Sequence, residues 1–359
     1  MTTRRLKVGS KMVGDGCPCF ITFEAGPTHN GLESALNLIQ LASDSGADAI
    51  KFQIFNPDEL IADKEQLFTY SILLDKTSGE TKEVSEPLYN IFQRRSLASH
   101  EWKLLKSKAD ELDILFFATA GSPNDIFFLA DLGCHSVKIA SADINYTPLL
   151  KSAAESGMVV QIDTGSSDIT EIDDAVQFLN DHGCNEVIIH QCPSGYPARL
   201  ESIYLSMIPA LKKRFPTLPI AYSDHTPDAD MDIAALALGA NLIEKTITAN
   251  RLTPSVEHIF SLEPDDMCTF IQRIRDIEIA AGDGFRSMTQ DQKNKRNSVR
   301  RSPYLTTDAP RGTALRDVPV RFMRPAAGIT PIEWQNLVDS AILSRDCSAG
   351  SVLSMEDIL

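Results

Sequence analysis

The chain nowhere offers about 18 consecutive apolar residues, so no membrane-spanning helix is expected. Its start, MTTRRLKVGSKMVGDG, has basic residues but no apolar stretch after them, and no secretory leader is expected. Cysteine is sparse, and its seven positions (17, 19, 134, 184, 192, 268 and 347) are an odd number scattered over the chain. That spread excludes a disulfide scaffold and suits a reducing, cytoplasmic setting. Cys17-Pro18-Cys19 is one residue too tight for the usual C-x-x-C motif and reads as two ordinary thiols beside the first strand. Positive charge is also in deficit: 34 Lys and Arg against 49 Asp and Glu leave a formal charge of -15. This argues against a general binder of nucleic acid or anionic membrane, although a local positive pocket can still hold a small anion. The nucleotide loops G-x-G-x-x-G and G-x-x-x-x-G-K are missing, and no Ser-His-Asp arrangement is identifiable.

What is present is an ordinary globular composition, 43% hydrophobic and 23% charged, in 359 residues, room for one large domain and a small one. One feature recurs: a helix end, a glycine, then a Val/Ile-rich run. It appears as SGADAIKFQ, LGCHSVKIA, SGMVVQID, HGCNEVIIH and LGANLIEKT. Glycine there is a helix C-cap at an αβ turn, and the run after it is a strand buried on both faces. CFITFEAG, DILFFAT and PIAYS complete a set of eight, the number that closes a (β/α)8 TIM barrel.

Residues 218–248 show the unit in full: a strand at Ile220–Tyr222, polar residues Ser223-Asp224-His225-Thr226, a helix read as starting from a Thr226 cap with Pro227 behind it, and a second strand ending in Glu244, Lys245 and Thr246. Strand tips of this kind share one mouth, where barrels place their sites. The stretch from Asn56 to about Ser85 exceeds what a βα unit needs and reads as an elaborated loop over the mouth, a lid. The expected boundaries are a barrel over 15–282, a polar and basic linker over 283–302, and a small domain over 303–359. That last piece is short for a free-standing fold and is expected to pack on the barrel or on a partner subunit.

At the strand ends stand Glu24, Lys51, Gln53, Thr119, Lys138, Ser141, Asp143, Asp163, Ser194, Tyr196, His225, Glu244 and Lys245. Lysines with several hydroxyls at one mouth suit a phosphorylated or carboxylated small molecule. Lys51 and Lys138 are the sharper signals, since a lysine inside an apolar strand must be paired; the structural alternative is an ion pair with Glu24 or Asp143. His225 stands open between metal ligand, proton shuttle and cap, His29 between a local cap and catalysis, and His258 between ligand support and loop closure.

Over about residues 15–359, FEAGPTHNG, ADAIKFQIF, VKIASADINYTP, QCPSGYPA, AYSDHT, EKTIT with VEHIFSLEP, and RPAAGIT resemble the sialic acid synthase family. The resemblance implies a TIM barrel followed by a small antifreeze-protein-like (SAF) domain, and a domain-swapped homodimer. It implies condensation of phosphoenolpyruvate with an N-acylated hexosamine such as N-acetylmannosamine, with a divalent ion, manganese or magnesium, as cofactor. By position, Lys51, Ser194 and Ser223 would take the phosphoenolpyruvate carboxylate, and Lys138, Thr119 and Ser141 its phosphate. Glu24 would lie at the reacting centre and His225 would ligate the metal. Gln53, Asp143, Tyr196 and Glu257 would meet the sugar, with Arg324 reaching its acyl group from the other subunit. The metal would polarise the open-chain aldehyde for attack by C3 of phosphoenolpyruvate.

Four positions depart from that pattern. Thr246 replaces a histidine that would be a second metal ligand, Asp163 stands where a phosphate-facing serine is common, Glu257 lengthens an aspartate, and Asp143 either shortens the more usual acidic residue or matches members that carry aspartate. They point to altered metal use or a different sugar. N-acetylneuraminate synthesis is the leading reading, with legionaminate or pseudaminate synthesis open. A barrel that has lost the condensation and serves as a sugar-binding or regulatory protein is the competing class.

Overall fold

The computed structural model describes residues 5–282 and 284–359. The chain divides at 282/283 into two compact units. In the larger, eight strands alternate with eight helices: β1 (Phe20–Glu24), α1 (Leu32–Ser45), β2 (Ala49–Ile54), α2 (Ser99–Glu111), β3 (Leu115–Ala120), α3 (Pro123–Asp131), β4 (Ser136–Ile139), α4 (Thr147–Glu155), β5 (Val159–Asp163), α5 (Ile169–Asp181), β6 (Val187–Gln191), α6 (Met207–Arg214), β7 (Ile220–Asp224), α7 (Asp230–Ala237), β8 (Leu242–Thr246) and α8 (Pro264–Ala281). The strands pair in parallel and in chain order, and β8 closes on β1 with Thr246 opposite Glu24. All eight are the strands the sequence pattern marks. The five turn glycines, Gly46, Gly133, Gly157, Gly183 and Gly239, take φ between 73° and 101°, the left-handed conformation that lets a helix end and a strand begin within a few residues.

Alternation along each strand sorts the core. Ile21, Phe23, Ile50 and Phe52 face outward and pack with Ala35, Leu38, Ile39 and Ala42 of α1. Phe20, Ala49, Phe117, Val159, Ile188, Ala221 and Leu242 form a separate apolar layer at the N-terminal end of the barrel. That layer is capped by an antiparallel hairpin, Leu6–Val8 with Lys11–Val13, whose Leu6, Val8 and Val13 are fully buried in it. Its turn residue Gly9 sits at φ 58°, where an added Cβ would also strike His135 at 2.9 Å.

Two segments differ from expectation. Residues 56–85 are no irregular loop: Leu67–Leu73 pairs antiparallel with Thr81–Pro87. Asp75 folds the turn by accepting from the backbone N–H of Thr77 at 2.8 Å and Ser78 at 2.7 Å. The hairpin and the following helix Leu88–Arg95 pack Tyr70, Ile72 and Ile91 against Val256, so this element is anchored to the loop after β8. Within the segment expected as a linker, Gln290–Val299 is a helix, started by Thr289 and Gln292 in a reciprocal cap. Short polar helices of this kind have no apolar stripe to betray them.

The smaller unit pairs Ser302–Leu305 with Val320–Met323 antiparallel and adds the helix Pro331–Leu337. Its own core gathers Leu305, Leu315, Val318, Ile329, Trp334, Leu343 and Leu353. All seven cysteines are free. Among the described residues no helix is long and apolar enough to cross a membrane.

Candidate active site

The C-terminal ends of the strands open on a cavity of about 550 Å³. The interior positions of the barrel change character toward this end: below lie Phe20 and Leu242, above them Thr22 and Glu24 on β1 and Glu244 and Thr246 on β8. Period-two spacing on buried strands therefore brings polar side chains into a closed ring, where each must find a partner inside the protein.

They find one another. Lys51 Nζ lies 2.8 Å from Glu24 Oε2 and 2.6 Å from Glu244 Oε1. Lys138 Nζ lies 2.8 Å from Glu244 Oε2 and 2.9 Å from Asp163 Oδ2, and donates to Ser223 Oγ at 2.9 Å. Glu244 thus bridges two ammoniums. Burial alone would raise its pKa, but Lys138 and Lys51 hold the carboxyl well below the usual range. Burial would lower Lys138, yet Asp163 and Glu244 together lift it above an ordinary lysine. For Lys51 burial wins, aided by the charge of Lys138, so its pKa falls despite Glu244. Lys138 is the firmly charged member and Lys51 the readier to lose a proton.

Glu24 is fixed from three sides: Lys51 on one oxygen, and on the other the backbone N–H of Gly26 at 2.8 Å and Gln53 Nε2 at 3.3 Å. Only glycine fits at 26, because a Cβ there would collide with Glu24 Oε1 and would lie 2.9 Å from the backbone nitrogen of Gln53. Beneath Lys138 runs a second set of bonds. Ser136 donates to the Val159 carbonyl at 2.8 Å, so Gln161 must donate to Ser136, also 2.8 Å, and its carbonyl faces His190 Nε2 at 2.8 Å. His190 then carries its proton on Nε2. Burial, with Lys138 adding to it, pushes its pKa down to about 3, which leaves Nδ1 as an acceptor 2.9 Å from Ser223 Oγ. The Ser223 hydroxyl has this acceptor and Asp163 Oδ1, at 3.0 Å, for one proton.

Of the residues singled out from sequence, Glu24, Lys51, Gln53, Thr119, Ser141, Asp143, Asp163, Ser194, Tyr196, His225, Thr246 and Glu257 line the cavity. Lys138 and Ser223, both fully buried, lie beneath its surface. Lys245 leaves the set: it points behind the barrel wall, bonded to Asp224, to Asp232 at 3.1 Å and to the Thr226 carbonyl at 2.7 Å. Asp224 therefore serves Lys245, Tyr222 and Thr226 rather than His225. Thr226 does not cap a helix, since its hydroxyl turns to Asp224 at 2.8 Å and α7 begins only at Asp230. His29 is buried against Phe52, 5.6 Å between ring centroids, with Nδ1 near the Gly31 N–H. His258 closes a loop through Thr248 Oγ1 at 2.7 Å. Arg324 is exposed at the end of Val320–Met323 in the smaller unit.

His225 stacks on Tyr196, 4.4 Å between centroids, and its buried Nδ1 has no hydrogen-bond partner. Burial lowers its pKa, so the imidazole is neutral. Asp224 and Lys245 are register partners, which puts His225 and Thr246 side by side at the mouth. Among the described residues no group of three or more His, Cys, Asp or Glu converges as a metal site. One imidazole beside a hydroxyl does not fit a dedicated transition-metal centre.

Two groups escaped the sequence reading as site residues: His190 and Arg95. Glu244 stood among the strand-end residues, but its bridging place depends on the barrel's closure. Arg95, 6% exposed, lines the cavity, and Arg94-Arg95 at a helix end reads in sequence as a solvated pair. Its four-residue spacing from Ile91 was the only available signal.

A closed parallel barrel with two buried lysines under its C-terminal mouth is an arrangement that can hold a small anion. Residues 38–286 match the model of the NeuB family. The chain belongs to that family, whose chemistry is the condensation of phosphoenolpyruvate with an amino sugar to a nonulosonic acid. It is 33% identical over 364 residues to the N,N'-diacetyllegionaminic acid synthase of Legionella pneumophila, covering 100% of this chain and 99% of that one. It is 30% identical over 343 residues to the pseudaminic acid synthase of Campylobacter jejuni, covering 94% and 96%. The crystal structure of the N-acetylneuraminic acid synthetase of Leptospira borgpetersenii superposes with a TM-score of 0.71 at 29% identity, over 83% of this chain and 98% of that one.

Proposed function

We propose that this chain joins phosphoenolpyruvate to an N-acylated hexosamine and releases phosphate, making N-acetylneuraminate or, as the names of its relatives suggest, legionaminate or pseudaminate. The observation that carries the reading is the pair of buried ammoniums, Lys51 and Lys138, bridged by Glu244 at the cavity floor. In this reading C3 of phosphoenolpyruvate forms a bond to the sugar's aldehyde carbon, and water adds to C2, one of its protons ending on the former aldehyde oxygen. The C2–O bond to phosphate then breaks as C2 becomes a ketone and its hydroxyl proton leaves with phosphate. Lys51 receives the carboxylate with Ser194, and Lys138 the phosphate with Thr119 and Ser141. Fixed charges held in a dry floor stabilise the developing negative charge with little reorganisation. Glu24, held as an acceptor by Lys51 and the Gly26 N–H, takes the proton of the attacking water. Asp163 occupies Lys138 at 2.9 Å, so it must yield that place when phosphate arrives.

The family resemblance implies a divalent ion, but His225 is the one imidazole at the mouth beside the Thr246 hydroxyl, a pair that does not fit such an ion, and no step is routed through it. Arg324 of a second copy is the proposed partner of the sugar's acyl group, in a homodimer. A barrel that binds sugar without turnover is the second reading, favoured by the carboxylate of Asp163 at the proposed phosphate site. The deciding experiment measures phosphate release from phosphoenolpyruvate with a panel of N-acyl hexosamines, with and without manganese. Release with at least one sugar supports the synthase; binding of sugars without release under any condition overturns it.

A further inference from the structure

Two adjacent arginines meet opposite fates at the end of the helix Leu88–Arg95. Arg94 reaches outward to Glu86 in a two-pronged bond, 2.6 and 2.7 Å. Arg95 turns inward and is 6% exposed. Its Nε donates to the Ile91 carbonyl at 3.1 Å and its guanidinium lies 5.3 Å from the Phe92 ring centroid. Among the described residues no carboxylate stands within ion-pair distance of it, and Arg95 lines the cavity. Burial pushes its pKa down to about 10, and the charged group acting most strongly in its favour is Glu257 on the same cavity. Glu257 is held at φ 66° at the turn after β8, and burial raises its carboxyl to about 7. Around the two are apolar walls: Tyr70, Leu88, Ile91, Phe92 and Val256.

A guanidinium rarely stays buried without an acceptor, since taking its charge out of water costs several kcal/mol, on the order of what a matched partner restores. The missing acceptor is therefore a part of the ligand. A phosphate or sulfate is a poor match, because one guanidinium among apolar walls and beside a carboxyl cannot offset a dianion. An amide is a good one: its carbonyl oxygen accepts from Arg95, its N–H donates to Glu257, and its acyl methyl packs on the aromatic and aliphatic wall.

We propose that Arg95, with Glu257, forms a receptor for an N-acyl group on the sugar, and that it selects a sugar bearing two amide substituents over one bearing a single amide. The assignment rests on the synthase reading above. The residue acts on specificity and takes no part in bond making.

The test uses the full chain, with its Arg95→Met and Arg95→Lys variants, and three sugars: N-acetylmannosamine, its 6-phosphate, and a 2,4-diacetamido-2,4,6-trideoxyhexose. Binding of each is measured by calorimetry and phosphate release from phosphoenolpyruvate is measured in parallel. The expected result is that the wild type prefers the two-amide sugar in KM and in Kd. Arg95→Met should cut that preference about 10-fold or more, the loss of a hydrogen bond to a charged group, and Arg95→Lys should restore part of it. Equal loss for all three sugars, or preference for the phosphorylated sugar, overturns the assignment. Should no sugar release phosphate, the synthase reading fails while the binding preference still tests Arg95. A melting curve for each variant separates loss of selectivity from loss of fold, and the lysine variant, which keeps the charge, stands in if the methionine variant unfolds.

Discussion

Lys138 and Arg95 are both buried cations of the barrel unit, 0% and 6% exposed. Lys138 has two carboxylate oxygens and a hydroxyl within 2.9 Å, whereas Arg95 has one backbone carbonyl at 3.1 Å. The floor is complete before any ligand arrives, its charges matched by residues from β2, β4, β5 and β8. The side wall is less complete, with Arg95 short of a carboxylate and the raised carboxyl of Glu257 bonded to Thr246 among apolar residues. Groups saturated by the protein can preorganise chemistry common to many substrates. Groups left short of partners report which substrate is expected.

The sharpest way to break this contrast is Lys138→Ala. Removing Lys138 leaves Asp163 without its ammonium and Glu244 with Lys51 alone, a loss of about 3–5 kcal/mol in stability. Turnover should fall about 1,000-fold through the lost phosphate contact. Thermal melting and phosphate release read the two effects, and unaltered phosphoenolpyruvate affinity would remove Lys138 from the site. Gly26→Ala spares the charges but displaces the Glu24 carboxylate and presses on the Gln53 backbone, so kcat should fall about 100-fold and the melting temperature should fall with it. Retained kcat would free Glu24 of its assigned role.

Thr246→His asks whether the mouth can be completed as well. Two imidazoles would then stand side by side on β7 and β8, and the affinity for manganese should rise about 10-fold, seen by calorimetry. No change would place any second ligand elsewhere. The smallest effect concerns Glu257, whose folded pKa of about 7 exceeds its unfolded value near 4.5. The native state then holds a proton that the unfolded chain gives up, so this contribution to stability is full below about pH 4.5 and is lost as pH rises through about 7. Glu257→Gln cannot lose that proton. Its melting temperature should gain on the wild type by about 2 °C between pH 6 and pH 8. Parallel curves for the two proteins would contradict the raised pKa.

The architecture was legible because it is written in local, repeated chemistry. A glycine that must turn left-handed, followed by a doubly buried strand, needs no knowledge of distant residues, and all eight strands carry signals of that kind or a plain apolar run. Lys51 and Lys138 were legible for the same reason, as charges inside apolar runs. Lys245 looks identical to them in sequence, yet one step along the strand turns it to the opposite face, into the company of Asp224 and Asp232. The mouth hairpin was hidden because Thr81–Pro87 is largely polar and exposed on its outer side. Arg95 was hidden because its burial depends on where the hairpin carries the following helix, a long-range fact with no trace in QRRS.

The hairpin at Leu6–Val13 gives the barrel a traffic rule. With that end sealed by Leu6, Val8 and Val13, the floor opens, among the described residues, through the cavity above it. In the proposed reading an anion seated on Lys51 would pass in before a sugar fills the space over it, and phosphate would leave after, or around, whatever occupies the upper part. Steady-state kinetics should therefore follow a compulsory sequence, anion first, and excess sugar should act as a cork, slowing turnover competitively with phosphoenolpyruvate.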